Sequence, residues 1–361
     1  MTSVALVNAS GPTDGISFAT ESYARALVDL GARVAWYQCL DHGRPWNREL
    51  PVPLHRVHGF GLPNTTLDMG VNRLWTFPRR LRSLTEEVTF VTDPTLADVA
   101  QHHPHAIVNV HDLRPLTKYA DRRLTRWAFR RAVPHLRFAH RVLVPSESVR
   151  RELTSAGVAP EMIHVVPEIS LLGSHPEHLE RSFQRVRASG VLRVLSVGTD
   201  RPYKNLSLLV RLAQRFAAQD APPKLEFTIV SKLRRSTARW VESLHLGNLR
   251  VVSQLPSLAA AYDDHDVLVQ PSLYEGFGRP LVEAMGFGLP ILATQLPVMG
   301  EVVGDGGFLL PPEPLERWVD ALASLRDPAT LATWARRSYA RSDRYSPERF
   351  RQTVATAVLG G

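Results

Sequence analysis

The chain has 361 residues, 44% of them hydrophobic, with one cysteine and a formal net charge of +8. This length exceeds what one core usually fills, so two domains are expected. The lone Cys39 excludes an internal disulfide and fits a reducing compartment, and no apolar run reaches the ~18 residues that a spanning helix needs.

In chain order, Val4–Val7 reads as the first strand. It follows Met1-Thr-Ser directly, so no leader peptide is expected, and the protein is placed in the cytoplasm or on the inner face of the membrane. A loop over Gly11–Gly15 leads to a helix from Phe18 to Leu30, with Tyr23, Leu27 and Leu30 at helical spacing and Gly31 as its stop. Arg33–Gln38, Thr89–Thr92, Ala106–Val110 and Arg141–Pro145 read as further strands, and Val165-Val-Pro167 closes this half. Residues 116–140 form a basic helical stretch broken at Pro134. Residues 173–190, polar and ending at Gly190, read as a linker.

The alternation then restarts. Leu192–Val197, Leu225–Val230, Leu249–Ser253, Val267–Val269 and Pro290–Thr294 are expected strands. Leu206–Gln219, Thr237–Leu244, Leu258–Tyr262 and Leu281–Phe287 are the helices between them, and a last helix runs from about Ser346 to Leu359. Strands alternating with helices imply parallel sheets with helices on both faces.

Charge is uneven. Arg73, Arg79, Arg80, Arg82, Arg114, Lys118, Arg122, Arg123, Arg126, Arg130, Arg131, Arg137 and Arg141 crowd part of the first half, interleaved with Trp75, Phe77, Trp127, Phe129 and Phe138. Such a field attracts phosphates, anionic lipid headgroups or nucleic acid.

The most informative stretch is VQPSLYEGFGRPLVEAMGFGLP, residues 269–290. Glu275 and Glu283 stand eight positions apart, separated by Gly276-Phe277-Gly278 and Pro280. Strand, glycine turn and helix follow one another here. A glycine turn opening a helix presents backbone N–H groups and a favourable dipole to an anion. Two flanking carboxylates add acceptors for hydroxyls, so the arrangement suits a nucleotide sugar.

This stretch closely resembles the E-x7-E motif of retaining glycosyltransferases of the GT-B fold, glycosyltransferase family 4. Arg279 stands where the family usually has an aliphatic residue. The resemblance implies an α/β protein of two doubly wound Rossmann-like domains facing across a cleft. It sets an acceptor-side domain at 1–172, onto which the helix at 345–361 packs back, and a nucleotide-sugar domain at 173–344.

Further segments extend the resemblance. In Ser196-Val-Gly-Thr-Asp-Arg-Pro-Tyr-Lys-Asn205, Lys204 matches the family's diphosphate-contacting lysine. Thr199 replaces a common arginine, and Arg201 is the candidate to supply that charge. In Asn8–Ile16, Gly15 with Asp14 corresponds to the glycine loop whose backbone approaches the donor phosphates. In Val108-Asn-Val-His-Asp-Leu113, His111 would lie by the transferred sugar and Asp112 toward the acceptor. Ser146 would cap the helix that follows it, with Arg150 on a face open to either the cleft or solvent. Glu168 replaces a common asparagine. Ser231-Lys232 and Gln254 replace common glycines, which leaves the base open.

The site expectation is therefore His111, Glu275 and Lys204 for catalysis, and Gly15, Arg201, Lys204, Gly276, Phe277, Gly278 and Glu283 for the donor. No metal and no cofactor are expected. The donor is a UDP- or GDP-linked sugar, and the acceptor a sugar, glycan or lipid-linked hydroxyl. An anionic membrane surface is a further partner, and nucleic acid is not. Hexose transfer with retention follows, in cell-surface polysaccharide or glycolipid synthesis. The alternatives are a nucleotide-sugar epimerase of the same architecture and a basic nucleic-acid-binding protein. Asp263-Asp-His-Asp266 and His102-His-Pro-His105 carry metal-ligand residue types, but read as a helix-to-strand turn and a surface loop.

Overall fold

The computed structural model describes residues 1–11, 15–39, 49–61, 70–120, 123–218, 224–255 and 257–360. Asp14, Arg122 and Gln219, named above, lie outside them. The chain divides into two units, Met1–Ile169 with Pro347–Gly361, and Ser170–Ser346.

The first unit is built on strands β1 (Ser3–Asn8), β2 (Arg33–Gln38), β3 (Leu54–Arg56), β4 (Val88–Val91), β5 (Ala106–Asn109), β6 (Arg141–Val144) and β7 (Ile163–Val165). They form one sheet in the order β3-β2-β1-β4-β5-β6-β7, with every pairing parallel. β1 lies between β2 and β4 and is buried at every residue, which is why it reads as an unbroken apolar run rather than an alternating one. Helix Gly15–Asp29 lays Tyr23, Ala24 and Leu27 on the core, and Gly31 ends it at φ +80°.

The last helix, Pro347–Val354, packs on Gly15–Asp29. The rings of Phe350 and Tyr23 lie 5.3 Å apart. Arg141 holds the turn that follows by donating to the carbonyls of Thr356 and Ala357.

The second unit carries β8 (Val191–Val197), β9 (Lys224–Val230), β10 (Leu249–Val252), β11 (Val267–Gln270), β12 (Ile291–Thr294) and β13 (Gly307–Leu310). Its sheet has the order β10-β9-β8-β11-β12-β13, again all parallel. The strand order reverses between β8 and β11, and between β1 and β4 in the first unit. In open parallel sheets, ligands bind beyond the carboxyl ends of the strands at such switch points.

Several segments differ from the sequence reading. Helical segments Asn72–Thr76, Phe77–Leu81 and Pro94–His102 stand where no element was expected, and His103, read as part of a surface loop, is buried. The supposed linker holds helix Glu177–Ser189, whose buried positions His178, Ser182 and Val186 recur every four residues. Two of the three are polar, which hides the stripe from a hydrophobicity pattern. β3 is an edge strand with one apolar residue, Leu54. Between Thr294 and Ser346, where no element was assigned, β13 and helices Pro297–Val303, Glu316–Ser324 and Pro328–Ser342 complete the unit. β13 begins at Gly307, where an added Cβ would come 2.4 Å from the Ile291 carbonyl oxygen, so its opening resembles a turn in sequence. Among the described residues no helix is long and apolar enough to cross a membrane.

Gly288 is a point of close packing. Its φ is +69°, and an added Cβ would lie 2.2 Å from Leu179 Cδ2 of the helix just described. Gly288→Ala is expected to destabilise the protein by about 2 kcal/mol or more through backbone strain and overpacking. Thermal denaturation checks this: the melting temperature should fall by several degrees, and an unchanged value would contradict the packing described.

Candidate active site

In the second unit two loops meet beyond the switch point. The first, Gly198–Asn205, follows β8. The second, Ser272–Gly278, follows β11. The Leu273 N–H donates to the Tyr203 carbonyl at 2.7 Å and joins them. Asn205 adopts φ +52°, a left-handed turn that asparagine tolerates, and starts helix Leu206–Ala217.

The aliphatic stem of Lys204 passes over Gly198, with Cδ 3.8 Å from where a Cβ would stand. Its ammonium pairs with Glu275 Oε1. The same oxygen accepts from Ser272 Oγ at 2.8 Å and Gln270 Nε2 at 3.1 Å. Three donors thus fix one carboxylate oxygen, while Oε2 has no partner among the described residues. Lys204 and Glu275 are 14% and 10% exposed, so the pair is shielded yet reachable.

Gly278, at φ +94°, caps helix Arg279–Gly286, and a side chain there would crowd Leu281 Cδ1 at 2.9 Å. Glu283 lies on the second turn of that helix and is buried. Tyr262 donates to its Oε2 at 2.7 Å and Arg279 to its Oε1 at 3.1 Å. Burial and the Glu283 charge raise the Tyr262 phenol well above its ordinary pKa, so it stays a donor.

Two expectations change in detail. The Phe277 side chain is buried, its ring edge-on to Tyr345 at 5.6 Å, so it serves the core and only its backbone can meet a ligand. Arg201 is exposed, while its neighbour Asp200 holds Arg234, accepting from the Arg234 N–H at 2.8 Å and from its guanidinium. Arg234 is a cation at this rim that the sequence reading passed over.

In the first unit, Asn8 ties the end of β1 to helix Gly15–Asp29 by donating to Ser17 Oγ at 3.3 Å and Thr20 Oγ1 at 2.9 Å. Gly15 is the first residue of its helix, and a Cβ added there would meet nothing within 4 Å among the described residues.

His111 follows β5. Its Nδ1 lies 3.0 Å from Glu168 Oε1 and its Nε2 3.2 Å from the Thr92 carbonyl oxygen. Burial disfavours charge on the ring, but the hydrogen bond and charge of Glu168, the charge of Asp112 and the Thr92 carbonyl outweigh it and raise the pKa. Asp112 caps the next turn through the Arg114 N–H at 2.9 Å. Ser146 caps helix Glu147–Ser155 as expected, and Arg150 pairs with Glu147 at 3.4 Å.

The basic cluster divides into two sets. Arg73 is tied to Asp93 and the Ala9 carbonyl, Arg126 to the Pro115 and Thr117 carbonyls, and Arg141 to the C-terminal turn. Phe77 and Phe129 are core residues. Trp75, Trp127 and Phe138 stay exposed, with Arg79 over Trp75 and Arg137 over Phe138. A small cavity of about 70 Å³ opens beside Trp127, lined by Arg73, Leu74, Asp98, Arg131 and His135 among others. Among the described residues no three His, Cys, Asp or Glu side chains gather as a metal site. Asp266 is taken up by Ser182 Oγ, Arg185 and the Arg193 N–H.

Two family descriptions match the chain: Glycosyltransferase Family 4 over residues 13–168 and Glycosyl transferases group 1 over residues 180–341. The chain belongs to glycosyltransferase family 4.

Among family relatives, the MMP alpha-(1->4)-mannosyltransferase of Mycolicibacterium hassiacum is 33% identical over 183 residues, 49% of this chain and 41% of that protein. The D-inositol 3-phosphate glycosyltransferase of Rhodococcus opacus is 32% identical over 168 residues, 43% of this chain and 38% of that protein. The chain thus spans less than half the length of these curated relatives. In fold it is similar to Anabaena Alr3699/HepE in complex with UDP and glucose, with a TM-score of 0.78 and 19% identity over 100% of both chains. It is also similar to the sucrose-phosphate synthase of Thermosynechococcus elongatus, with a TM-score of 0.79 and 19% identity over 100% of this chain and 99% of that one. The fold is GT-B.

Sequence reasoning missed Tyr262, which holds Glu283, and Gln270 and Ser272, which hold Glu275. Gln270 and Ser272 stand in the motif itself, and an uncharged polar residue at the end of a buried strand was the signal available for Gln270.

Proposed function

We propose that the chain transfers a hexose from a nucleoside-diphosphate sugar to an acceptor hydroxyl, with retention at the anomeric carbon and without a metal ion. The observation that carries this is Glu275: one oxygen is held by three donors and the other is open, at the switch point of the second unit's sheet. A carboxylate so fixed is an acceptor for hydroxyls of the donor sugar.

As the anomeric carbon–oxygen bond breaks, negative charge grows on the leaving diphosphate. Lys204 is the cation for it, and on donor binding its ammonium moves its interaction from Glu275 to phosphate oxygen. The backbone at Gly276–Gly278 and at Gly15 adds N–H donors, and His111 contacts the transferred sugar. Glu283 accepts from the ribose hydroxyls. The acceptor oxygen attacks on the face the diphosphate leaves, and its proton passes to a donor phosphate oxygen, so no protein nucleophile is needed.

The test is incubation with UDP-, GDP-, ADP- and TDP-linked sugars, with and without acceptors, following nucleoside diphosphate release and the anomeric configuration of the product by NMR. Acceptor-dependent release with retained configuration is expected. Conversion of the donor to its epimer without acceptor would favour an epimerase instead.

For the acceptor, the exposed Trp75, Trp127 and Phe138, with Arg79, Arg80, Arg130, Arg131 and Arg137 around them, support a lipid-linked substrate at an anionic membrane. Each basic residue near such a surface contributes about 1 kcal/mol. In flotation assays the protein is expected to rise with phosphatidylglycerol vesicles at low salt, and to stay down after charge reversal of Arg130 and Arg131. Absence of the wild-type protein from the vesicle fraction would contradict this surface role.

A further inference from the structure

Glu168 makes a contact that crosses the sheet. It stands three residues beyond β7, held between buried Val166 and Ile169, while His111 stands two residues beyond β5. β6 lies between those strands, so the two side chains bridge about 10 Å of sheet edge. Both are 14% exposed and their polar atoms are 3.0 Å apart. The other ring nitrogen faces the Thr92 carbonyl, just past β4. The ring is thus held from both sides along the carboxyl edge of the first unit's sheet.

Donor and acceptor chemistry constrains the protons. A carboxylate and a carbonyl oxygen both only accept, so each ring nitrogen facing one must carry hydrogen. Asn109 also places its amide nitrogen Nδ2 3.1 Å from Nε2. A 180° turn of that amide exchanges N for O without changing its shape, and in that orientation all three contacts agree with a doubly protonated imidazolium.

We propose that Glu168 is a positioning residue for His111: it holds Nδ1–H, so that Nε2–H is the donor turned to an oxygen of the transferred sugar in place of the Thr92 carbonyl. This rests on the reading above in which His111 contacts that sugar. It goes further by assigning the atom, its proton and the group that fixes it.

The electrostatics agree. The charged groups acting on His111 are Glu168 and Asp112, both negative, and together with the Thr92 carbonyl they outweigh burial. On the far side of Glu168 stands Tyr23, which burial first and Glu168 second keep as neutral phenol. The sign follows. With the folded pKa above the ordinary histidine value, the pair's contribution is complete below that ordinary value and is lost as pH rises through the folded one. The Nε2–H donor disappears over the same interval, so kcat/KM for the donor should show an alkaline limb there.

The test uses the full chain carrying histidine labelled at Cε1, with the His111 signal assigned by its loss in His111→Ala. In the wild type, the NMR titration midpoint should lie above 6.5. In Glu168→Gln it should fall by about one pH unit or more, the effect of removing an adjacent opposite charge. The alkaline limb of kcat/KM should move down with it, and Glu168→Asp should restore part of both. Circular dichroism confirms that each variant is folded.

A wild-type midpoint below 6.5, or one that Glu168→Gln leaves in place, would overturn the positioning role. A midpoint that moves while His111→Ala turns over donor as fast as the wild type would instead overturn the reading of His111 on which the proposal rests.

Discussion

Lys204→Ala is expected to lower kcat/KM for the sugar donor by about 100- to 1,000-fold, the usual loss when one preorganised charge-stabilising donor is removed. The lysine reaches its position through two loops that the Leu273–Tyr203 backbone bond stitches together. Its stem lies on Gly198 and its ammonium on Glu275. Truncation removes the cation but leaves Gln270 and Ser272 on Glu275, so the fold should persist. Lys204→Arg should recover little, because the planar guanidinium does not reproduce a compact ammonium beside a phosphate. Steady-state kinetics against donor concentration check this, and kcat/KM within threefold of the wild type would contradict the assignment.

Glu283→Gln is expected to raise donor KM about tenfold or more, since a hydrogen bond to a charged acceptor is worth about 1.5–3 kcal/mol. The amide oxygen can still accept from Tyr262, while its NH2 faces the Arg279 guanidinium and gives up that ion pair. Glu283→Ala should cost stability as well. It strands Arg279 and the Tyr262 hydroxyl, which now share the carboxylate. Losing one partner of a buried pair typically costs about 3–5 kcal/mol, and Arg279, 18% exposed, should keep the loss near the low end. A thermal melt beside the kinetics separates the two effects. Unchanged KM in the glutamine variant would remove Glu283 from the donor site.

The legible parts of this molecule are those where one physical signal dominates. β1, β11 and β12 are buried strands and read as largely apolar runs. The glycine turn before Arg279 is visible because Gly278 must adopt positive φ. The final helix is marked by Phe350 and Val354 at helical spacing.

What stayed hidden depends on contacts distant in sequence. Helix Glu177–Ser189 buries His178 and Ser182, and its packing on Gly288 cannot be read from local pattern. The three donors on Glu275 come from two loops. Phe277 sits inside a motif associated with ligand binding, yet faces Tyr345. The arginine cluster looked uniform in sequence, whereas Arg73, Arg126 and Arg141 are structural and the exposed set is smaller.

The central claim is that the second unit grips a nucleoside diphosphate through Lys204 and Glu283. Calorimetric titration of UDP and GDP into the wild type and Lys204→Ala tests it most directly. One of the two nucleotides should bind the wild type with micromolar affinity, and at least about tenfold more weakly the variant, as expected for one lost charge-assisted contact. No binding of any nucleoside diphosphate, or equal binding to both proteins, would contradict the account.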